Sequence, residues 1–266
     1  MTETRWLNAL KVCVSITLVA RGWLTWRWDS PFRSIIWKED WWSGVVDDWA
    51  KFATTSDPAI SSGLMILGCL MMLGGVVPWL LSAIPRMRWA LLFFAGLLVL
   101  DSAARWINTS FDLGMAIEHA LQMVGPVALF MAVSFPDKTR PWILVVSVAT
   151  AFTFVGHGLY AMGFHPVPLI YKTMTMNILS VSRESAFLVL KIAGWLDVLA
   201  AVCLFIRPIR FYALIYIIAW GAATALARIV AHGNIDPWLW ETAVRTSHWM
   251  LPLLLLLLLR RVDETG

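Results

Sequence analysis

The stretch from Arg88 to Ile107 reads RWALLFFAGLLVLDSAARWI and contains no charged residue between Arg88 and Asp101. Twenty residues of α-helix span about 30 Å, which is the thickness of the hydrocarbon core of a bilayer. The whole chain has this character, since 59% of its 266 residues are hydrophobic and only 14% are charged. An ordinary soluble domain has about 25% charged residues. The sequence therefore predicts an integral membrane protein that has the lipid bilayer as its solvent.

Similar apolar blocks lie on both sides of this stretch. With a window of about nineteen residues, transmembrane helices are predicted at residues 6–27, 58–81, 88–107, 113–133, 142–162, 185–206, 211–231 and 239–259. The first block runs past Arg21 without a small-residue cleavage site, so we interpret it as a retained helix and not as a secretory signal. The predicted fold class is all-α, with about eight transmembrane helices.

The basic residues indicate the orientation of these helices. They occur at both termini and in every second connection, at Arg5 and Lys11, Arg86 and Arg88, Lys138 and Arg140, Arg207 and Arg210, and Arg260 and Arg261. Because cytoplasmic loops carry an excess of Lys and Arg, the pattern predicts a multi-pass protein with both termini in the cytoplasm. The net charge of +4 is spread over helix ends and forms no single stripe, so no nucleic-acid partner is expected.

Two external loops are long. In the first, Trp41, Val45, Trp49 and Phe52 recur at helical spacing opposite a charged face, which predicts an amphipathic helix in the membrane interface. A simple belt of interfacial aromatic residues explains the tryptophans equally well. The third external loop, residues 163–184, is the second long one, and we expect it to form a matching lid.

The two halves of the chain resemble each other. A constant offset pairs Pro85 with Pro208 and Arg105 with Arg228, a second pairs His119 with Arg245, Gln122 with His248 and Pro126 with Pro252, and Arg21-Gly22 falls on His157-Gly158. An even number of helices in each half makes the repeat parallel, with its axis along the membrane normal. We therefore predict two four-helix repeats, residues 1–135 and 136–266, which face each other around a shared interior in one compact membrane domain.

Ionisable residues collect near one end of the predicted helices. They are Arg21, Asp101, Arg105, Glu118, His119, His157, Arg228, Glu241, Arg245 and His248, with Asp197 deeper in the sixth helix. A charge at the centre of a bilayer costs about 2.5–3.5 kcal/mol, so such residues normally face a protein interior. A structural explanation also exists, because the acids four residues before Arg105 and Arg245 are spaced for ion pairs on one helix. Arginines near helix ends also reach lipid headgroups.

The residue types indicate the chemistry of the predicted pocket. Arginine holds carboxylate, phosphate or sulfonate groups, or a quinone carbonyl, through paired donors, and histidine transfers protons near neutral pH. We assign Arg21, Arg105, His119, Arg228 and Arg245 as candidate ligand-binding residues, and His157, Asp197 and His248 as candidate catalytic residues that move protons. The three histidines of this set lie on three separate helices, so no metal site is predicted.

Four short motifs in the second half carry a family resemblance. They are Gly156-His157-Gly158-Leu159-Tyr160, the stretch from Lys191 to Asp197, Ala225-Leu226-Ala227-Arg228, and the stretch from His248 to Pro252. In these motifs the chain resembles the DoxX-like group of small four-helix membrane proteins, which is related to the HTTM domains of the vitamin-K-dependent carboxylase type. The resemblance implies a protein of the bacterial inner (plasma) membrane that partners periplasmic or membrane redox enzymes, in some members with a link to the quinone pool. The chain departs from the pattern because it is doubled and lacks a redox cysteine pair.

Three functions are compatible with these features. The first is a membrane subunit of an oxidoreductase system whose outward pocket binds a quinone or an anionic lipid-like molecule. The second is an organic-anion transporter that works by rocking of the two repeats, although the sequence suggests no pair of broken helices. The third is a structural subunit of a larger membrane complex, in which the charges pair internally and leave no cavity. Quinone is the candidate cofactor, and the residues distinguish neither an enzyme from a binding protein nor one oligomeric state from another.

Overall fold

The architecture is a bundle of membrane-length helices. A computed structural model of the protein describes residues 3–28, 30–233 and 236–265. Eight helical segments in these ranges are long and apolar enough to cross a membrane, and none of the described residues forms a β-strand. The predicted all-α membrane fold is therefore confirmed.

We number the membrane-length segments α1 to α8 in chain order. They are α1 (Glu3–Arg27), α2 (Trp49–Gly74, followed by the short helix Val77–Leu80), α3 (Arg88–Asn108), α4 (Leu113–Glu118 and Ala120–Ser134), α5 (Thr139–Ala161), α6 (Arg183–Cys203), α7 (Arg210–His232) and α8 (Trp238–Ala243 and Thr246–Thr265). Three short helices, Pro31–Ile36, Glu39–Trp42 and Leu169–Leu179, lie in the connections, and a 3₁₀ turn, Pro85–Met87, precedes α3. The ends agree with the prediction to within a few residues, except at the start of α2 and the end of α8.

The first external loop is helical in short pieces and not in one amphipathic helix. Trp41 belongs to the short helix Glu39–Trp42, whereas Phe52 already lies in α2, and turns separate the two. The separation has a local cause at Asp48. The carboxylate of this residue accepts a hydrogen bond from the Lys51 amide at 2.9 Å, which satisfies an N–H group that the first turn of a helix leaves unpaired. The membrane-length helix α2 therefore begins at a position where the spacing predicts the middle of the amphipathic helix.

The helices pack in matching pairs in the two halves of the chain. In the first half α1 packs against α2 and α3 against α4, and in the second half α5 packs against α6 and α7 against α8. Between the halves α4 packs against α5, and α8 packs against α1. All eight helices therefore belong to one bundle in which each half contributes to the contact with the other.

Glycines bring the paired helices together at matching places. A Cβ atom on Gly22 of α1 would lie 2.5 Å from the carbonyl oxygen of Gly68 in α2, and one on Gly158 of α5 would lie 2.8 Å from that of Gly194 in α6. Small residues permit such close approach in membranes, where packing holds helices together without a hydrophobic driving force. Gly22 and Gly158, which the sequence alignment pairs, thus have the same structural role. The division into repeats 1–135 and 136–266 stays a prediction.

Apolar and polar interiors occupy opposite ends of the bundle. A core between α1, α3, α4 and α8 is rich in leucine and includes the fully buried Leu10, Leu91, Leu129 and Leu255. Buried charged and histidine side chains lie at the other end, where the odd-numbered helices end and the even-numbered helices begin. Because lipid replaces water around the bundle, buried charges at this end need partners from other helices.

Candidate functional site

A polar cluster fills the end of the bundle that carries the two long loops. We define it as Arg21, Asp101, Arg105, Glu118, His119, Gln122, His157, Arg228, Glu241, Arg245 and His248. These side chains come from α1, α3, α4, α5, α7 and α8, so both halves of the chain contribute. Seven of the eight predicted site residues belong to the cluster, and Asp197 of α6 lies apart from it.

Asp101 holds two arginines in the first half of the chain. Its Oδ2 atom lies 2.9 Å from Nε of Arg105 and 3.5 Å from Nε of Arg21. The pair on α3 that the spacing predicts is therefore confirmed, and α1 joins it through a residue distant in sequence. Arg21 is only 2% exposed, and its Nη2 also donates to Oε1 of Gln122 at 2.7 Å. Arg21 and Arg105 are thus already engaged by protein groups.

A chain of contacts crosses between the halves through Gln122. Its Nε2 atom lies 3.2 Å from Nε2 of His248, and the ring centroids of His248 and His157 are 5.2 Å apart. Together with the Arg21 hydrogen bond, this gives the order Arg21, Gln122, His248, His157. The alignment of the two halves pairs Arg21 with His157 and Gln122 with His248. Equivalent residues of a twofold arrangement meet only near its axis, so under the predicted pairing that axis passes between Gln122 and His248.

His157 connects the cluster to the third external loop. Its Nδ1 atom lies 2.9 Å from the hydroxyl of Tyr171 and 3.5 Å from Oε2 of Glu118. Tyr171 belongs to the short helix Leu169–Leu179, which lies where the sequence predicts a lid. Burial raises the pKa of the Tyr171 hydroxyl above its ordinary value of 10.0. The hydroxyl therefore keeps its proton at neutral pH and can donate to the imidazole.

Both α4 and α8 are interrupted inside the cluster. The turn in α4 falls at His119, and the turn in α8 falls at Val244 and Arg245. The expectation that no pair of helices is broken is therefore wrong, and the alignment of His119 with Arg245 places the two turns at matching positions. In α4 the Leu121 amide donates to the hydroxyl of Thr153 at 3.0 Å. This bond from α5 satisfies an N–H group that the start of the second piece would otherwise leave unpaired.

The two arginines of the second half are held differently. Arg245 pairs with Glu241 on its own helix, as the spacing predicts. Arg228 is 4% exposed, and its Nη1 donates to the carbonyl oxygen of Thr224 at 2.6 Å. Within residues 3–28, 30–233 and 236–265, no carboxylate forms an ion pair with Arg228. Since a buried charge is costly without a partner, Arg228 is the arginine of the cluster best able to take an added anion.

A cavity of about 430 Å³ lies beside the cluster, in the second half of the chain. His157, Arg228, Arg245 and His248 form its polar end. Apolar side chains from α5, α6, α7 and the helix Leu169–Leu179 form most of its walls. The predicted shared interior is thus divided, because the polar cluster spans both halves whereas the residues that line the cavity come from the second half alone.

The predicted site residues separate according to this cavity. His157, Asp197, Arg228, Arg245 and His248 line it, whereas Arg21, Arg105 and His119 do not. Asp197 lies in the wall away from the polar end, and its Oδ1 accepts a hydrogen bond from the Tyr216 hydroxyl at 2.8 Å. His119 lies on the far side of the cluster, with Nε2 3.5 Å from Oε1 of Glu118.

Two polar residues of the site carry no strong signal in the sequence. In the sequence, Gln122 stands out only as the partner of His248 in the repeat, although its side chain forms hydrogen bonds with both Arg21 and His248. Tyr171 lies in the predicted lid, but nothing local indicates that its hydroxyl reaches His157 on another helix. Both positions depend on contacts between segments that are distant along the chain.

The donor set at the polar end suits an oxygen-rich ligand. Arginine donates and cannot accept, and a histidine ring nitrogen can do either, so these groups together match a carboxylate, a phosphate or a carbonyl oxygen. In the described part of the chain, no three His, Cys, Asp or Glu side chains are grouped so that they could hold a metal ion. The cavity therefore combines apolar walls with a polar end whose side chains can bind the oxygen atoms of a ligand.

Similarity to known proteins does not assign this site. The resemblance of the second half to DoxX-like proteins stays a prediction. Comparisons of the chain with known protein families, with curated proteins and with solved structures give no match.

Proposed function

We propose that the protein binds a quinone or an anionic lipid-like molecule in the pocket formed by this cavity and the polar cluster. The observation that carries the proposal is the juxtaposition of apolar walls with His157, Arg228 and His248 at one end. Binding sites for small molecules are typically apolar cavities in which a few polar groups orient the ligand. The walls suit an isoprenoid or acyl chain, and the polar end suits a quinone carbonyl or an acidic headgroup.

The distribution of basic residues supports an outward-facing pocket. Arg86, Arg207 and Arg260 lie at the end of the bundle opposite to the polar cluster. Cytoplasmic ends carry such an excess of positive charge. The pocket would then open toward the non-cytoplasmic side of a plasma membrane, where a periplasmic or membrane redox partner could reach it.

The convergence of the four family-like motifs supports a role as the membrane subunit of an oxidoreductase system. Each motif contributes one polar residue to the cavity lining, namely His157, Asp197, Arg228 and His248. A quinone supplies the electron transfer when it binds. The residues of the chain would hold its carbonyl oxygen at Arg228 and carry protons at the imidazoles of His157 and His248.

Ligand binding by the purified protein tests the proposal. Organic extraction of the protein from its native membrane should release a bound quinone or lipid, and a short-chain ubiquinone analogue should compete with it. Arg228→Gln and His157→Ala should each weaken binding by about tenfold or more, because each removes a polar contact in a dry site. Lys191→Gln, at an exposed position on α6, is the matched control and should have no effect. Absence of any bound quinone or lipid, together with indifference to both pocket substitutions, would refute the proposal.

An organic-anion transporter is a second candidate, favoured by the interruptions of α4 and α8. Transporters with inverted or parallel repeats build their sites from broken helices at the repeat interface. The two turns lie in the polar cluster at positions that the sequence alignment pairs. Counterflow of a labelled organic anion in vesicles that contain the protein would identify transport, whereas binding without counterflow would favour the first function.

A further inference from the structure

We infer that the ligand of the cavity is an amphiphile with one singly charged acidic headgroup, which binds Arg228 and reaches the cavity sideways from the membrane. This inference rests on the proposed function and narrows its ligand to a lipid-like acid, as opposed to a neutral quinone. Three observations carry it: the charge balance of the cluster, the composition of the cavity rim, and the depth of the apolar walls.

The charge balance leaves one positive charge at the cavity. The cluster contains four arginines and three carboxylates, those of Asp101, Glu118 and Glu241. Asp101 is shared by two arginines of the first half, and Glu241 is held by Arg245. Glu118 lies 3.5 Å from each of two histidines, on different oxygen atoms. Arg228 has no paired acid among the described residues, so one anionic headgroup would complete the pairing at the least desolvation cost.

The geometry of Arg228 leaves donors for such a headgroup. The guanidinium carries five N–H donors, and one nitrogen is used for the Thr224 carbonyl on its own helix. The side chain is both buried and part of the cavity lining, so its remaining donors are shielded from bulk solvent and available to a ligand in the cavity. A carboxylate or phosphate monoanion can accept two of them in parallel, whereas a neutral carbonyl accepts through a single oxygen and leaves the positive charge of Arg228 without a counter-charge.

The rim of the cavity is made of side chains that face lipid. Leu226 and Val230 of α7 are 56% and 71% exposed, and Ile178 and Leu179 of the short helix are 41% and 50% exposed. All four belong to the cavity lining. In a membrane-spanning bundle, exposed apolar side chains of a spanning helix such as α7 contact hydrocarbon, and Ile178 and Leu179 adjoin them at the loop end of the cavity. The exposed lining residues of α7 therefore place an opening of the cavity toward lipid, and the ligand comes from the bilayer.

The apolar part of the cavity is long enough for a chain. Along α7 its lining extends from Arg228 to Trp220 on the side away from the loops, and eight residues of α-helix rise about 12 Å. Arg228 lies near the end of this run that is close to the loops. A small water-soluble anion would fill the polar end only and leave these walls without a partner, whereas an acyl or prenyl chain attached to the acid would cover them.

Binding of palmitate and of palmityl alcohol, which share a chain length and differ in charge, tests the inference. The full-length protein is placed in nanodiscs of phosphatidylcholine, and tritiated palmitate is displaced by unlabelled palmitate, palmityl alcohol, octanoate or the ubiquinone analogue. We expect palmitate to bind at least about tenfold more tightly than the alcohol, since a charge-assisted hydrogen bond in a dry site has about that effect. Arg228→Gln should remove this preference, Arg228→Lys should keep part of it, and Lys191→Gln should leave it unchanged.

Substitutions that enlarge a side chain at the rim test whether the ligand enters the cavity from the bilayer. Leu226→Trp narrows the opening and should slow palmitate association several-fold, whereas Val202→Trp, on a 56% exposed position of α6 outside the cavity lining, should not.

Equal affinity for the acid and the alcohol, or persistence of the preference in Arg228→Gln, overturns the acidic headgroup. Octanoate binding as tightly as palmitate, with no effect of Leu226→Trp, overturns access from the bilayer. Direct binding of the labelled ubiquinone analogue without binding of palmitate overturns the inference and leaves the proposed function intact, while failure of both labelled ligands to bind overturns both.

Discussion

Asp101 organises the polar end of the bundle at the scale of single residues. One carboxylate pairs with both Arg105 on its own helix and Arg21 on α1, and its side chain is only 5% exposed. Arg21 in turn positions the Gln122 amide that reaches His248. The acid thereby supports a network that extends to the cavity, although it does not line the cavity itself. Glu241, by comparison, is 27% exposed and serves one arginine.

Substitution of Asp101 should therefore cost more stability than substitution of Glu241. Asp101→Asn leaves the buried Arg21 and the partly exposed Arg105 without their carboxylate and should lower the free energy of unfolding by about 3 kcal/mol. Glu241→Gln breaks a more exposed pair and should cost about 1 kcal/mol or less. Chemical unfolding of the two variants and the wild type in the same detergent measures the difference. Equal losses for the two substitutions would contradict the shared role of Asp101.

The short helix Leu169–Leu179 acts as a cover for the cavity at the scale of elements. It is held by the Tyr171 hydroxyl at His157 and by Asn177, whose Nδ2 donates to the Ala231 carbonyl oxygen at 3.2 Å. Its Met174 side chain is buried, and several of its side chains line the cavity. So few attachments hold the helix that its local opening should cost less than unfolding of the bundle.

The Tyr171→Phe variant tests the attachment and its dependence on pH. Loss of the hydroxyl should lower the free energy of unfolding by about 1 kcal/mol and speed amide hydrogen exchange in residues 169–179. Because burial raises the pKa of Tyr171 above 10.0, its contribution is fully present below that pH and is lost as the pH rises further. The difference in melting temperature between wild type and variant should thus stay constant from about pH 8 to pH 9 and shrink above about pH 10. A difference that grows above pH 10 would contradict the raised pKa.

The bundle as a whole has a polar end and a basic end, and these ends should face opposite sides of the membrane. The polar cluster joins the halves where the long loops lie, and the short basic connections lie opposite. The interior between them is filled by leucine, so the cavity does not continue to the basic end along the core. The molecule is therefore accessible to a ligand from one end or from the lipid beside it.

Cysteine labelling of intact cells tests this orientation. After replacement of Cys13, Cys69 and Cys203 by serine, Ser180→Cys should react with a membrane-impermeant maleimide, because it lies in the loop beside the cavity. Asp137→Cys, at an exposed position between α4 and α5, should react only after permeabilisation. The reverse labelling pattern would show that the polar end of the bundle faces the cytoplasm and would contradict the orientation predicted from the basic residues.

The sequence by itself determined the eight helices and the two ion pairs between an acid and the arginine four residues later. A helix in lipid must satisfy its own backbone, so an apolar run of sufficient length specifies it without reference to other segments. Residues at i and i+4 meet on any helix, which is why the pairs of Asp101 with Arg105 and of Glu241 with Arg245 could be foreseen.

Only the tertiary structure decided the link through Gln122, the contact of Tyr171 with His157, the turns in α4 and α8, and the position of the cavity in one half. Each of these depends on how helices rotate and how closely they approach, as at Gly158 against Gly194. Such distances are set by the packing of many side chains from distant segments, and neither composition nor periodicity of a single segment contains them.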